Sequence, residues 1–160
     1  MLRDSPADHA ERLCYESIPA PLRYLTPLQA MAAAIKQILS STRGNIVCEH
    51  AEIADTPLLR LRGLLGRSSL LGGHGMLIEP APSIHSAFMR FEFDAVFLDR
   101  DLKVIKLAER IPPWRTRAAR HARSVLELSA GEIERRGIQV GDVLAVEERK
   151  TSFVGATPGG

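Results

Sequence analysis

The sequence predicts an α+β domain, mostly β: a small partly closed β-barrel or rolled sheet of five to six short strands with two short helices. Three observations lead there. Short apolar runs of strand length recur from Ile46 to Val146, each bounded by glycine, proline or aspartate. Only two segments in that stretch carry helix-start signals, and both are short. A doubly wound fold needs longer helices between its strands, whereas rolling a short sheet hides its edges economically.

Pro6, Pro19, Pro21 and Pro27 interrupt any regular element near the N-terminus. One helix is expected from Pro27 to about Leu39, with Thr26 as N-cap and apolar Leu28, Met31, Ile35, Ile38 and Leu39 at helical spacing. Residues 1–44 therefore read as an N-terminal extension, and Met31 offers an internal start that intact mass would test. Ile46 to Ile53 alternates as a strand. Thr56-Pro57 opens a helix through Leu65, with Leu58, Leu59, Leu61 and Leu65 as its buried stripe and Gly66 as its stop.

Met76 to Glu79 is a short strand ended by Pro80-Ala81-Pro82. If Gly75 to Glu79 pairs with Ile84 to Phe88 around that loop, His85 falls opposite Ile78. Phe91 to Asp99 and Val104 to Ile111 form a hairpin about the Asp99-Arg100-Asp101 turn, ended by Pro112-Pro113. Val125 to Leu128 is another strand. Ser129 and Glu132 match a capping box for a two-turn helix ending at Gly137. Gly141-Asp142 turns into the last strand, Val143 to Val146. A single globular domain thus spans 45–150, and the polar, glycine-rich 151–160 reads as a disordered tail.

Composition excludes more than it selects. With 160 residues, 45% of them apolar, the chain can bury a core without metal or disulfides. A net charge of +2 does not by itself imply a polyanion partner. Cys14 and Cys48 match no CxxC spacing, so free thiols in a reducing cytoplasm are expected. Met31 to Ile38 is too short to span a bilayer, and Asp4, Asp8 and Glu11 do not suit a signal peptide.

Five segments in order resemble one family. Arg62-Gly63-Leu64-Leu65-Gly66-Arg67, Gly75-Met76-Leu77, Ser83-Ile84-His85-Ser86 with Met89-Arg90-Phe91, Asp94 to Asp99, and Val125-Leu126-Glu127-Leu128 with Ala130-Gly131 and Gly141-Asp142 carry the likeness. Together they resemble the family called domain of unknown function 192, over about residues 46–148. The resemblance implies a fold and brings no mechanism. Two departures fall where a site is most expected: Ser86-Ala87-Phe88 stands for the usual Thr-Phe-Gly, and Glu92-Phe93 for Pro-Ile.

His85, Met89, Arg90 and Asp94 are the candidate ligand surface. His85, oriented by Asp94 or Asp99, has the chemistry of a base or metal ligand; the alternative is a structural histidine locking its loop. Asp94 and Glu127 are candidate acid–base partners for His85, whereas acids such as Asp99 and Asp142 more often serve turns. No HExxH, HxH or CxxC spacing supports a metal, no G-x-S-x-G supports a nucleophile, and Gly72-Gly73-His74-Gly75 lacks the lysine of a phosphate loop. Arg110 to Arg123 holds five arginines, His121 and Trp114 without one acid, so Trp114, Arg115, Arg117 and Arg120 are candidate anion or nucleic-acid contacts. The leading expectation is a binding or accessory module for a small molecule or protein, needing no cofactor. The alternatives are a hydrolase-like enzyme using His85 with Asp94 or Glu127, and nucleic-acid or anion binding through the arginine-rich segment.

Overall fold

A computed structural model describes residues 34–148. The elements in chain order are β1 (Ala34–Ser40), β2 (Ile46–Ala54), α1 (Pro57–Arg62), β3 (His74–Ile78), β4 (Ser83–His85), β5 (Phe93–Leu98), β6 (Val104–Ile111), β7 (Thr116–Ala118), β8 (Ser124–Ser129), α2 (Glu132–Arg136) and β9 (Leu144–Glu148). Seven strands make one sheet in the order β6-β5-β8-β3-β2-β1-β9, and β4 pairs with β7 in a separate ribbon. The mostly β, α+β expectation holds, with nine strands among the described residues rather than five or six. Among the described residues the large sheet is not closed into a barrel: its edge strands' leading ends meet at one bridge, Lys103 to Val143.

The centre of the sheet is buried on both faces. β5 has all six residues buried, and alternation sends its five apolar ones into two separate clusters. Val96 and Leu98 join Ile38, Val47, Leu126, Leu128 and Ile133 in one cluster. Phe93, Ala95 and Phe97 join Met76, Ile78, Ile84, Met89 and Val125 in the other. That second cluster is the one from which the site is built.

Several local expectations are corrected. Ala34–Ser40 is a strand paired with both β2 and β9, where a helix to Leu39 was expected; the part of that helix before Ala34, Cys14 and the 151–160 tail lie outside the described residues. A strand with two neighbours satisfies its amides in the sheet, which outweighs local helical spacing. The pairing of 75–79 with 84–88, on which placing His85 opposite Ile78 depends, does not form. β3 lies between β2, to which it is parallel, and β8, while His85 in β4 faces Thr116 in β7. In α1, Thr56 Oγ1 caps Leu59 N as expected, but Gly63 rather than Gly66 ends the helix and none of its residues is buried. Gly131 is the N-cap of α2, and the Ser129 hydroxyl donates to Leu70 O instead of closing a capping box.

The segment that departs from the family pattern keeps its turn at a cost. Phe88 takes φ +62°, a left-handed conformation that glycine adopts freely and bulky residues rarely do. Its ring stands out into solvent.

Candidate functional site

Glu127 is the acid that the fold treats most unusually. Within β8 it pairs with Met76 on one side and Ala95 on the other, so its side chain joins the Met76–Ala95–Val125 face. Only 5% of it is exposed, and its carboxyl has no hydrogen-bond or ion-pair partner among the described residues. Burial pushes its pKa up to about 8, because an ionised carboxylate there would have little water and no counter-charge among the described residues. At neutral pH the group is therefore mostly a carboxylic acid, able to donate a hydrogen bond.

That carboxyl lies at the wall of a cleft of about 380 Å³. Leu64, Ile78, Ile84 and Met89 give the cleft buried apolar walls, while Arg62 and His85 stand at its exposed lip. The cleft is framed by the α1–Gly63 turn, the Pro80-Ala81-Pro82 loop and β8. Gly75 makes this arrangement possible from behind. A Cβ there would lie 2.6 Å from Glu127 O and 3.1 Å from Cys48 Sγ, so only glycine lets β3 approach β8 so closely.

The structure brings His85, Met89 and Glu127 to this one cleft and leaves Asp94 out of it. Asp94 is fully buried, and its carboxylate accepts from Arg110 N at 2.8 Å and from Ile133 N at 3.0 Å. It supplies the cap that α2 lacks from its own sequence and orders the end of β6. His85 is exposed, and its imidazole has no hydrogen-bond partner among the described residues, so no carboxylate orients it as a general base requires. Arg90 is exposed and without a carboxylate partner among the described residues. Asp99 forms its turn, accepting from Asp101 N and Lys103 N.

Several charges elsewhere are paired. Arg136 reaches both Glu49 and the buried Glu132, tying α2 to β2. Burial alone would raise the Glu49 pKa, but the hydrogen bonds and charge of Arg136 hold it below the usual carboxylate range. Arg43 does the same for Asp142, whose carboxylate also accepts from Gln139 N. Cys48 is a buried free thiol pushed up to about 11 by burial, which makes it unreactive. No group of three or more histidines, cysteines or acids is placed to hold a metal among the described residues.

Sequence reasoning missed the role of Ser86. It is fully buried, donates through Oγ to Pro112 O, and accepts from Arg115 N, while its own N–H donates to Arg115 O. It therefore joins the β4 end to the loop before β7. Phe88 and Trp114, one on each joined segment, meet edge to face with centroids 4.7 Å apart. Nothing local in the sequence pairs segments that are 26 residues apart in this way.

Fold and site together define a small α+β protein whose described residues build one open mixed sheet, with a cleft of mixed apolar and polar lining that carries a buried carboxyl. The chain belongs to the domain of unknown function 192 family, described as "Uncharacterized ACR", whose model matches residues 38–146. A UPF0127 protein of Thermococcus gammatolerans is 32% identical over 128 residues, covering 73% of this chain and 80% of that protein. One from Thermococcus sibiricus is 28% identical, covering 72% and 79%. Among solved structures, a candidate transcription regulator from Sinorhizobium meliloti superposes with TM-score 0.64 at 25% identity, covering 72% of this chain and 96% of that one. A protein of unknown function from Novosphingobium aromaticivorans superposes with TM-score 0.62 at 22% identity, covering 76% and 90%, a likeness of fold alone. Among the described residues, no helix is long and apolar enough to cross a membrane.

Proposed function

We propose that the protein is a binding module whose cleft takes a small, largely apolar molecule carrying one hydrogen-bond acceptor, received by the Glu127 carboxylic acid. One observation carries this reading: a buried carboxyl without a partner in an apolar wall. A structural carboxyl would be expected to resemble Asp94, with its lone pairs filled by backbone amides. An unfilled one beside a cleft is poised for a visitor. The reading includes a cytoplasmic setting, which the free thiol of Cys48 supports.

The test uses small ketones and amides against hydrocarbons of matched shape, followed by NMR shifts of the Leu64, Ile84 and Met89 signals. Acceptor-bearing probes are expected to bind more tightly than the hydrocarbons, and binding should weaken as pH rises through about 8. Glu127→Gln keeps a donor and should retain binding without the pH dependence; Glu127→Leu should lose the preference. Equal binding of ketone and hydrocarbon to the unmodified protein would sink the reading. An enzyme reading keeps one point in its favour, that His85 and Glu127 line the same cleft. It requires ester or amide turnover that His85→Ala and Glu127→Gln both abolish.

A further inference from the structure

We propose that Phe88, Trp114 and the arginines on their segments form a stacking platform for single-stranded nucleic acid, apart from the Glu127 cleft. Phe88 is 72% exposed and Trp114 60%, and neither lines that cleft. Both residues sit at left-handed φ, +62° and +63°. Such a conformation costs a non-glycine residue on the order of 1 kcal/mol or more. The fold gains little burial in exchange for two strained, outward aromatic residues. It nevertheless holds them rigidly, because Ser86 accepts from Trp114 N and Met89 N through its carbonyl while its hydroxyl clamps Arg115 and Pro112.

The charge around this pair selects the occupant. Arg90, Arg115, Arg117 and Arg120 have no carboxylate partner among the described residues, and Glu92 is the one acid between His85 and Phe93. Arg115 and Arg117 spend one guanidinium nitrogen each on a neighbouring carbonyl, which leaves further donors free. An acidic protein would satisfy the arginines but would not call for two exposed ring systems. A single strand uses both, stacking unpaired bases on the rings and setting phosphates against the guanidiniums. A duplex keeps its bases stacked on each other and cannot use the rings in this way.

Trp114 is the chain's one tryptophan, so its fluorescence reports from the platform itself. The full-length protein is titrated with oligo-dT and with oligo-U of about 12 nucleotides, a length within the usual footprint of single-strand sites. Saturable quenching is expected with at least one of them, the stronger naming DNA or RNA as the natural strand. Affinity should fall about tenfold or more between roughly 50 and 200 mM salt, as displaced counterions require. Phe88→Gly relieves the strained φ and should preserve the fold while weakening binding about tenfold, the loss typical of one stacking partner. The pair Arg115→Ala with Arg117→Ala should weaken it comparably and flatten the salt dependence. Absence of quenching at low salt overturns the proposal. So does equal affinity for polyglutamate, which would make the surface an acidic-protein site, or for a duplex of the same length. Binding indifferent to both sets of substitutions also overturns it.

Discussion

Asp94 and Glu127 show how little a residue's identity says about its task until its neighbours are known. Both are buried acids on adjacent strands, and both were candidates for chemistry. Asp94 has its carboxylate filled by Arg110 N and Ile133 N, the second arriving from 39 residues away. Asp94→Ala should therefore leave two amides unpaired, one of them only part-buried, and cost about 2–6 kcal/mol in urea unfolding, since each orphaned buried donor costs roughly 1–3 kcal/mol. Asp94→Asn should cost less, because its amide oxygen can still accept one of the two bonds. Equal losses for alanine and asparagine would show that the amides find other partners. The sequence alone could name both acids, because each interrupts an apolar strand. It could not separate them, because the amides that distinguish Asp94 come from the end of β6 and the start of α2.

At the scale of elements, what was legible is what is local. β2, β3, β5, β6, β8 and β9 announce themselves by apolar runs between turn residues, and α1 by Thr56-Pro57. β1 imitates a helix because Ile35, Ile38 and Leu39 fall at helical spacing after an alanine run; its pairing with β2 and β9 decides the matter. β4 and β7 have only three residues each, too few to show a period, so the ribbon that carries His85 was hidden. The order of strands was hidden too, because the parallel pairing of β2 with β3 depends on distant register. Gly75 tests that packing. Gly75→Ala places a methyl against Glu127 O and Leu128 Cδ2, at 2.6 and 2.9 Å before any relaxation. Overpacking of this kind typically costs about 1–3 kcal/mol. The expected loss in thermal or urea stability should come with chemical-shift changes in β8; a neutral substitution would mean that β3 and β8 can separate without penalty.

At the scale of the whole molecule, the ionisable groups set opposing slopes of stability against pH. Glu49 and Asp142 have depressed folded-state pKa values, so their contribution is present above the ordinary carboxylate range and is lost as pH falls through the depressed values. Glu127 works in the other direction. Between its ordinary value of 4.5 and about 8 the folded protein keeps a proton that the unfolded chain releases. Raising pH through that window therefore favours unfolding, by roughly 1 kcal/mol per pH unit in the middle of it. Cys48 extends the same slope into alkaline solution, between 9.0 and about 11. The two acidic effects and the Glu127 effect meet near pH 5, where stability should be greatest rather than at the pI of about 8.7. Glu127→Gln removes the neutral-range slope without changing side-chain shape. Guanidinium midpoints measured from pH 5 to 8 should fall steadily for the unmodified protein and stay nearly level for Glu127→Gln, so that the two curves diverge with rising pH. Parallel curves would mean that the Glu127 carboxyl ionises freely in the folded protein. It would then present an anion to the cleft, and the preference for hydrogen-bond acceptors would give way to one for donors and cations.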